Sequence, residues 1–158
     1  MLVGILSILA AAGLTLVDQL IKLWATVELL PVGSKPFIPH VLEFYYLLND
    51  GMSFSMLSGK RTLLVIVTGV MLAVLAGMLL LRKILVVGGG VGNLIDRIRT
   101  GVVVDYLNCL FINFPVFNFA DVCICVGVGL LVLSLLLDMR REQKAKQQKG
   151  SAPTDGTA

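Results

Sequence analysis

Two aspartates in the last third of the chain, Asp105 and Asp121, stand at the rims of long apolar runs. Asp105 closes Gly101-Val102-Val103-Val104-Asp105-Tyr106. Asp121 lies in Phe117-Asn118-Phe119-Ala120-Asp121, ahead of sixteen uncharged residues from Val122 to Leu137. An ionisable group at the centre of a membrane helix costs roughly 2.5 to 3.5 kcal/mol on insertion scales, less near the interface, and commonly marks function. Two close carboxylates cannot easily both ionise, so one keeps a proton and the pair supplies a general base and a general acid. An aspartic protease activates water with such a pair. Asp121 sits four residues beyond Phe117, roughly 6 Å along a helix, so both carboxylates fit one depth just below the outer interface. Asn118, three residues before Asp121, is placed to hydrogen-bond the pair or a substrate backbone.

Other polar groups are set among apolar neighbours. In Asp18-Gln19-Leu20-Ile21-Lys22, positions 18 and 22 share a helix face, where an ion pair can either neutralise two interfacial charges or serve a site. Gly88-Gly89-Gly90-Val91-Gly92-Asn93-Leu94-Ile95-Asp96-Arg97 lacks the spacing of a nucleotide loop. Its glycines instead suit close helix approach in a membrane, and Asn93, Asp96 and Arg97 form a polar scaffold at the outer end of a short span. Cys109, Cys123 and Cys125 have neither metal-ligand spacing nor histidine companions. His40, the single histidine, falls in a loop among Pro36, Pro39 and Val41, away from partners for a triad or a zinc centre.

The elements that must position these residues are membrane spans. With 57% hydrophobic and 15% charged residues among 158, the chain exceeds what a soluble domain carries. The excess is collected in tracts, and about 20 apolar residues cross about 30 Å of hydrocarbon. Met1 to Val17, Thr62 to Leu81 and Phe117 to Leu137 are three such tracts. The first lacks the basic n-region of a signal peptide and no polar domain follows it, so a retained span is expected. Ile84 to Ile95 is apolar but only twelve residues long, roughly 18 Å of helix, and would need a thinned bilayer or extension beyond helix length to cross. Arg140, Arg141, Lys144, Lys146 and Lys149, together with Arg82-Lys83, place the C-terminus and the loop after the second tract in the cytoplasm. Four spans with both termini inside satisfy both clusters; Lys60-Arg61 then falls outside, against the rule. Residues 139–158 read as a basic, disordered cytoplasmic tail that follows a single membrane-embedded domain, 1–138.

Between the first two spans, Pro31, Gly33, Pro36 and Pro39 exclude a continuous helix. Val41 to Leu48 is rich in aromatic and aliphatic residues, and Met52-Ser53-Phe54-Ser55-Met56 alternates with period two. Asn49-Asp50-Gly51 between them is a hairpin signal. A small external sheet over about residues 31–58 is expected, resting on the bilayer surface; an amphipathic interfacial segment would carry a similar pattern. The expected fold is thus an all-α polytopic membrane protein of four transmembrane helices, the third unusually short, with a small β-cradle between helices 1 and 2.

Five ordered motifs, Asp18-Gln19-x-x-Lys22, Asn49-x-Gly51 with Phe54-Ser55, Gly92-Asn93-x-x-Asp96-Arg97, Val104-Asp105-Tyr106 and Phe117-Asn118-x-Ala120-Asp121, resemble the lipoprotein signal peptidase (signal peptidase II) family of bacterial membrane aspartic peptidases. The resemblance runs from about residue 13 to 138. It implies cleavage of a prolipoprotein just before its diacylglyceryl-modified cysteine, at a site near the outer face of the cytoplasmic membrane. It implies a catalytic dyad of Asp105 and Asp121, with Asp18, Lys22, Asn49, Gly51, Asn93, Arg97, Asn118 and Ala120 lining or supporting the site and Asp96 in a structural role. Lipidated prolipoproteins and membrane lipids are the implied partners, the protein acting as a monomer with no metal, cofactor or nucleic acid. One departure stands out: the family carries a cytoplasmic loop and a full third helix before Gly-Asn-x-x-Asp-Arg, whereas only Ile84-Leu85-Val86-Val87 separate Lys83 from Gly88.

Two rival readings use the same residues. A catalytically impaired relative that binds lipidated peptides would keep every motif. A transport protein would use Asp105, Asp121 and Arg97 as a proton or ion path, but a path needs polar groups at several depths. The second tract offers only Thr62 and Thr68, and the fourth only Ser134 toward the inside.

Overall fold

A computed structural model describes residues 2–51, 59–77 and 84–150. Its elements run α1 (Leu2–Leu29), β1 (Ser34–Ile38), β2 (Leu42–Asn49), α2 (Arg61–Gly77), α3 (Ile84–Arg99), β3 (Val103–Cys109) and α4 (Phe119–Gly150). Among them α1 and α4 are long and apolar enough to cross a membrane. Their outward faces carry Leu6, Leu9, Leu16, Leu20, Leu133 and Leu135, all exposed; lipid tails are as apolar as leucine and solvate such faces without penalty. α2 is a shorter apolar helix.

α3 sits at the centre, packed against α1, α2 and α4, and its glycines set how closely they approach. A Cβ on Gly88 would lie 2.9 Å from Leu14 Cβ, one on Gly90 2.6 Å from Leu72 Cδ2, and one on Gly89 would collide with the Ala120 carbonyl oxygen. The run Gly88 to Gly92 is therefore a packing surface against three helices. α3 is also longer than the apolar count suggested. It continues through Asp96, Arg97 and Ile98 to Arg99, sixteen residues in all, or roughly 24 Å. The charged last turn stays helical because its polar groups find partners: Asp96 pairs with Lys22, Arg97 reaches the Gly51 carbonyl, and Thr100 N and Oγ1 both donate to the Asp96 carbonyl.

The sheet is antiparallel in the order β1-β2-β3. The hairpin is β1 to β2, closed where Val41 N–H donates to the Ile38 carbonyl, with exposed His40 in the left-handed region (φ 60). Pro36 sits on the edge strand β1, where a missing N–H is tolerated. The expected turn at Asn49-Asp50-Gly51 follows β2; its hairpin partner, 52–56, lies outside the described residues. The second neighbour of β2 is β3, which comes from between α3 and α4, so the sheet is not confined to the α1–α2 connection. That third strand could not be read locally because β2 and β3 meet across more than fifty residues of sequence, Leu47 opposite Asp105. The sheet packs on the C-terminal half of α1 through Phe44, Tyr46, Val104, Tyr106 and Leu107, against Ile21, Ala25 and Leu29.

Residues 139–150, expected in a disordered tail, instead continue α4 as helix. Glu, Gln, Lys and Ala dominate that stretch, and these are strong helix formers.

Candidate active site

The N-terminus of α4 is the anchor of the site. The first turn of any helix leaves backbone N–H groups without intrahelical acceptors, and here each finds one in a different element. Phe119 N donates to Tyr106 Oη on β3 (3.0 Å). Ala120 N donates to Asp18 Oδ1 on α1 (3.1 Å). Asp121 N donates to Asn118 Oδ1 (3.1 Å). In return Asn118 N donates to Asp121 Oδ2 (3.1 Å), a reciprocal capping box with Asn118 at the N-cap. Burial pushes the Tyr106 hydroxyl further above its ordinary range, and the nearby carboxylates add to this; it stays protonated and serves as an acceptor.

Asp105, on β3, is 2% exposed. Asn118 Nδ2 donates to its Oδ1 (2.6 Å) and Asn49 Nδ2, from the end of β2, to its Oδ2 (2.8 Å). Asp121 Oδ1 accepts from Asn93 Nδ2 on α3 (2.8 Å). All four carboxylate oxygens thus have an amide donor. Both side chains, with Asn49, Asn93, Arg97, Val103, Phe114, Pro115, Val116 and Phe117, line one cavity of about 90 Å³. Burial lifts Asp105 to a pKa of about 6, the Asp121 charge adds to the rise, and the Asn49 and Asn118 hydrogen bonds and the Lys22 charge hold it back. Burial thus makes Asp105 hold its proton to higher pH than an ordinary carboxylate does.

Behind the cavity lies a second buried layer. Lys22 Nζ touches Asp18 Oδ2 (2.8 Å), Asp96 Oδ2 (2.7 Å) and Asn93 Oδ1 (2.7 Å), satisfying all three ammonium donors. Asn93 Oδ1 also accepts from Asn118 Nδ2 (3.1 Å), so the lysine orients the amide that faces Asp121. Gly92 packs on the Asp18 carboxylate so closely that a Cβ there would collide with it. Arg97 Nη2 donates to the Gly51 carbonyl (3.0 Å), and Gly51 N donates to Asn49 Oδ1 (2.9 Å), which fixes the amide that serves Asp105.

Each residue that the resemblance implied for the site falls into this assembly; Phe54-Ser55 of the second motif lie outside the described residues. Asn49, Asn93, Arg97, Asp105 and Asp121 line the cavity. Asn118 and Gly51 hold those groups directly, and Asp18, Lys22, Ala120 and Asp96 stand one layer back. Sequence reasoning missed the apolar lining at Val103, Phe114, Pro115 and Val116, and two polar participants besides. Gln19 Nε2 donates to Asp96 Oδ1 (2.9 Å) and the Gly92 carbonyl (3.2 Å); its place between Asp18 and Lys22 in an apolar helix was the available signal. Tyr106 adjoins Asp105 but points to the opposite face of the strand, to the α4 cap. Cys123 is buried near Gly89, Cys125 is exposed and Cys109 half-buried; all three are free thiols outside the cavity lining.

Asp105 and Asp121 thus share one cavity beside a set of apolar helices, and comparison with known proteins gives the family. The model of the family described as signal peptidase (SPase) II matches residues 10–137. The chain belongs to that family of bacterial membrane peptidases. It is 40% identical over 129 residues to the lipoprotein signal peptidase of Halothermothrix orenii, covering 76% of this chain and 88% of that one. It is 37% identical over 131 residues to the lipoprotein signal peptidase of Lactococcus lactis subsp. lactis, covering 77% and 87%. A bacterial membrane enzyme solved by the in meso method at 2.3 Å resolution superposes with a TM-score of 0.77 at 33% identity, covering 84% of this chain and 88% of that one. A second, at 1.9 Å resolution, gives 0.73 at 33% identity, covering 82% and 92%.

Proposed function

We propose that this chain is an aspartic endopeptidase that removes the signal peptide from diacylglyceryl-modified prolipoproteins just before the lipidated cysteine. The observation that carries the reading is that Asp105 and Asp121 line one cavity, each with both oxygens held by amide donors. With one proton shared by the pair, the ionised carboxylate takes a proton from water as the water oxygen bonds to the scissile carbonyl carbon. The protonated carboxylate gives its proton to the carbonyl oxygen. The resulting gem-diol collapses, the C–N bond breaks, and the departing amine nitrogen is protonated as a diol proton returns to the dyad, leaving the pair with one proton again. Donors already aimed at the carboxylates need no reorganisation as charge moves between them.

In this reading α1, α2, α3 and α4 all span the cytoplasmic membrane, both termini are cytoplasmic, and the cavity opens near the outer face. The acyl chains of the substrate lie in lipid beside the apolar cavity wall of Phe114, Val116 and Phe117. The protein acts as a monomer without a metal.

The test is cleavage of a diacylglyceryl-modified prolipoprotein peptide by the purified protein in lipid. Asp105→Asn and Asp121→Asn should each lower turnover at least a thousandfold while leaving insertion and folding intact, because Asn is nearly isosteric but is no base. Near wild-type turnover in either variant would remove that residue from the mechanism. Tight binding of the lipopeptide by the wild type without cleavage would favour the catalytically impaired relative, and equal processing of an unlipidated precursor would contradict the assigned substrate.

A further inference from the structure

Lys60-Arg61 is the pair that the charge pattern left against the positive-inside rule, and the structure gives Arg61 a specific occupation. Arg61 opens α2, yet its guanidinium caps a different helix: Nε donates to the Arg97 carbonyl (2.8 Å) and Nη2 to the Ile98 carbonyl (2.5 Å). Both carbonyls belong to the last turn of α3, whose acceptors have no intrahelical donors. A planar fork suits two adjacent carbonyls in a way that a lysine ammonium does not. Gly101, in the left-handed conformation (φ 87) that ends a helix, makes room for the arginine stem: a Cβ there would be 3.1 Å from Arg61 Cδ.

The residue held in this way lines the cavity. Arg97 faces Asp105 and Asp121 electrostatically and its own Nη2 is tied to the Gly51 carbonyl. Its main chain is thus pinned by Arg61 and its side chain by Gly51, so the guanidinium that shares the cavity with the carboxylates is held from both ends. We propose that Arg61 is a positioning residue for the peptidase site: by capping the last turn of α3 it sets where Arg97 stands in the cavity that Asp105 and Asp121 line. The inference rests on the peptidase reading for its consequence in turnover, but its geometry is independent of it.

The experiment is a double-mutant cycle between Arg61→Gln and Arg97→Gln, read as kcat/KM for the lipopeptide well below every variant's unfolding temperature, with Arg61→Lys and Lys60→Gln alongside. Arg61→Gln should lower kcat/KM about tenfold or more in the wild-type background and less than twofold once Arg97 is already Gln. Arg61→Lys should recover little of the loss, and Lys60→Gln should stay within twofold of wild type. Independent, multiplicative losses in the cycle, full activity in Arg61→Lys, or a loss in Lys60→Gln equal to that in Arg61→Gln would each overturn the proposal. Amide hydrogen exchange separates this from failure of the functional reading: should the wild type not cleave at all, the Thr100 amide must still exchange faster in Arg61→Gln than in wild type, and unchanged exchange there overturns the cap itself.

Discussion

Asn118 and Asp121 cap each other: each donates its backbone N–H to the other's side-chain oxygen at 3.1 Å. The box that starts α4 is therefore built from one member of the carboxylate pair, and Asn118 uses its remaining amide nitrogen on the other member, Asp105. Helix initiation and the alignment of the pair rest on the same side chain.

These two duties separate under substitution. Asn118→Ser keeps an N-cap acceptor, and caps of this kind differ little among themselves while loss of the cap costs about 1 to 2 kcal/mol. Asn118→Ser should therefore hold its thermal midpoint within a few degrees of wild type, yet lose at least tenfold in turnover because Asp105 loses a donor. Asn118→Ala should lose both. Wild-type turnover in the Ser variant would show that the amide on Asp105 is dispensable.

Asp105 gives a signed pH dependence. Its proton is held more tightly in the fold, to about pH 6, than at the ordinary carboxylate value of 3.8. Protonation thus favours the folded state: the contribution is complete below about pH 4 and is lost as pH rises through about 6. About 2 pH units at about 1.4 kcal/mol each gives a loss on the order of 3 kcal/mol. Thermal unfolding in detergent between pH 4 and 7.5 should show the wild type losing several degrees relative to Asp105→Asn, which has no such titration. A difference between the two that does not vary with pH would mean that Asp105 is not held as described.

Two glycines should respond in opposite ways to a methyl group. Gly92→Ala drives a Cβ into the Asp18 carboxylate, which cannot yield because Lys22 and Ala120 N hold it. Overpacking of this kind costs about 1 to 3 kcal/mol, and the shift should reach Asp121 through Ala120 and depress turnover as well. Gly129→Ala meets nothing within 4 Å and should gain about 0.5 to 1 kcal/mol from helix propensity. Thermal midpoints of the two variants, measured side by side, check the contrast; a harmless Gly92→Ala would show that α1 and α3 can separate without cost.

The spanning arrangement is open to accessibility labelling. With Cys109, Cys123 and Cys125 replaced, single cysteines at positions 83, 99 and 138 should react with impermeant reagent from the inside, the outside and the inside respectively. If 83 and 99 react from the same side, α3 does not cross, and the four-span reading has to be given up.

Apolar tract length and the rarity of charge within it are local properties, so the membrane character, the spans at α1 and α4, and the carboxylates Asp105 and Asp121 were legible in the sequence. So were the motifs around Asp18, Asn93 and Asn118, because a buried polar residue in an apolar context is conspicuous wherever it falls. The sequence set the apolar part of α3 but not its length, which depends on partners for Asp96 and Arg97 supplied by α1, the end of β2 and α2. Nor did it show β3, since the pairing that places Asp105 beside Asn49 is a matter of register between strands 56 residues apart. The sharing of Asn118 between two carboxylates, the support of Asn93 by Lys22 and the grip of Arg61 on the last turn of α3 were likewise decided only by tertiary packing. Each hydrogen bond needs donor and acceptor within about 3 Å, and between residues distant in the chain that distance is fixed by how closely the helices approach, here by the glycines of α3, and not by any period along the sequence.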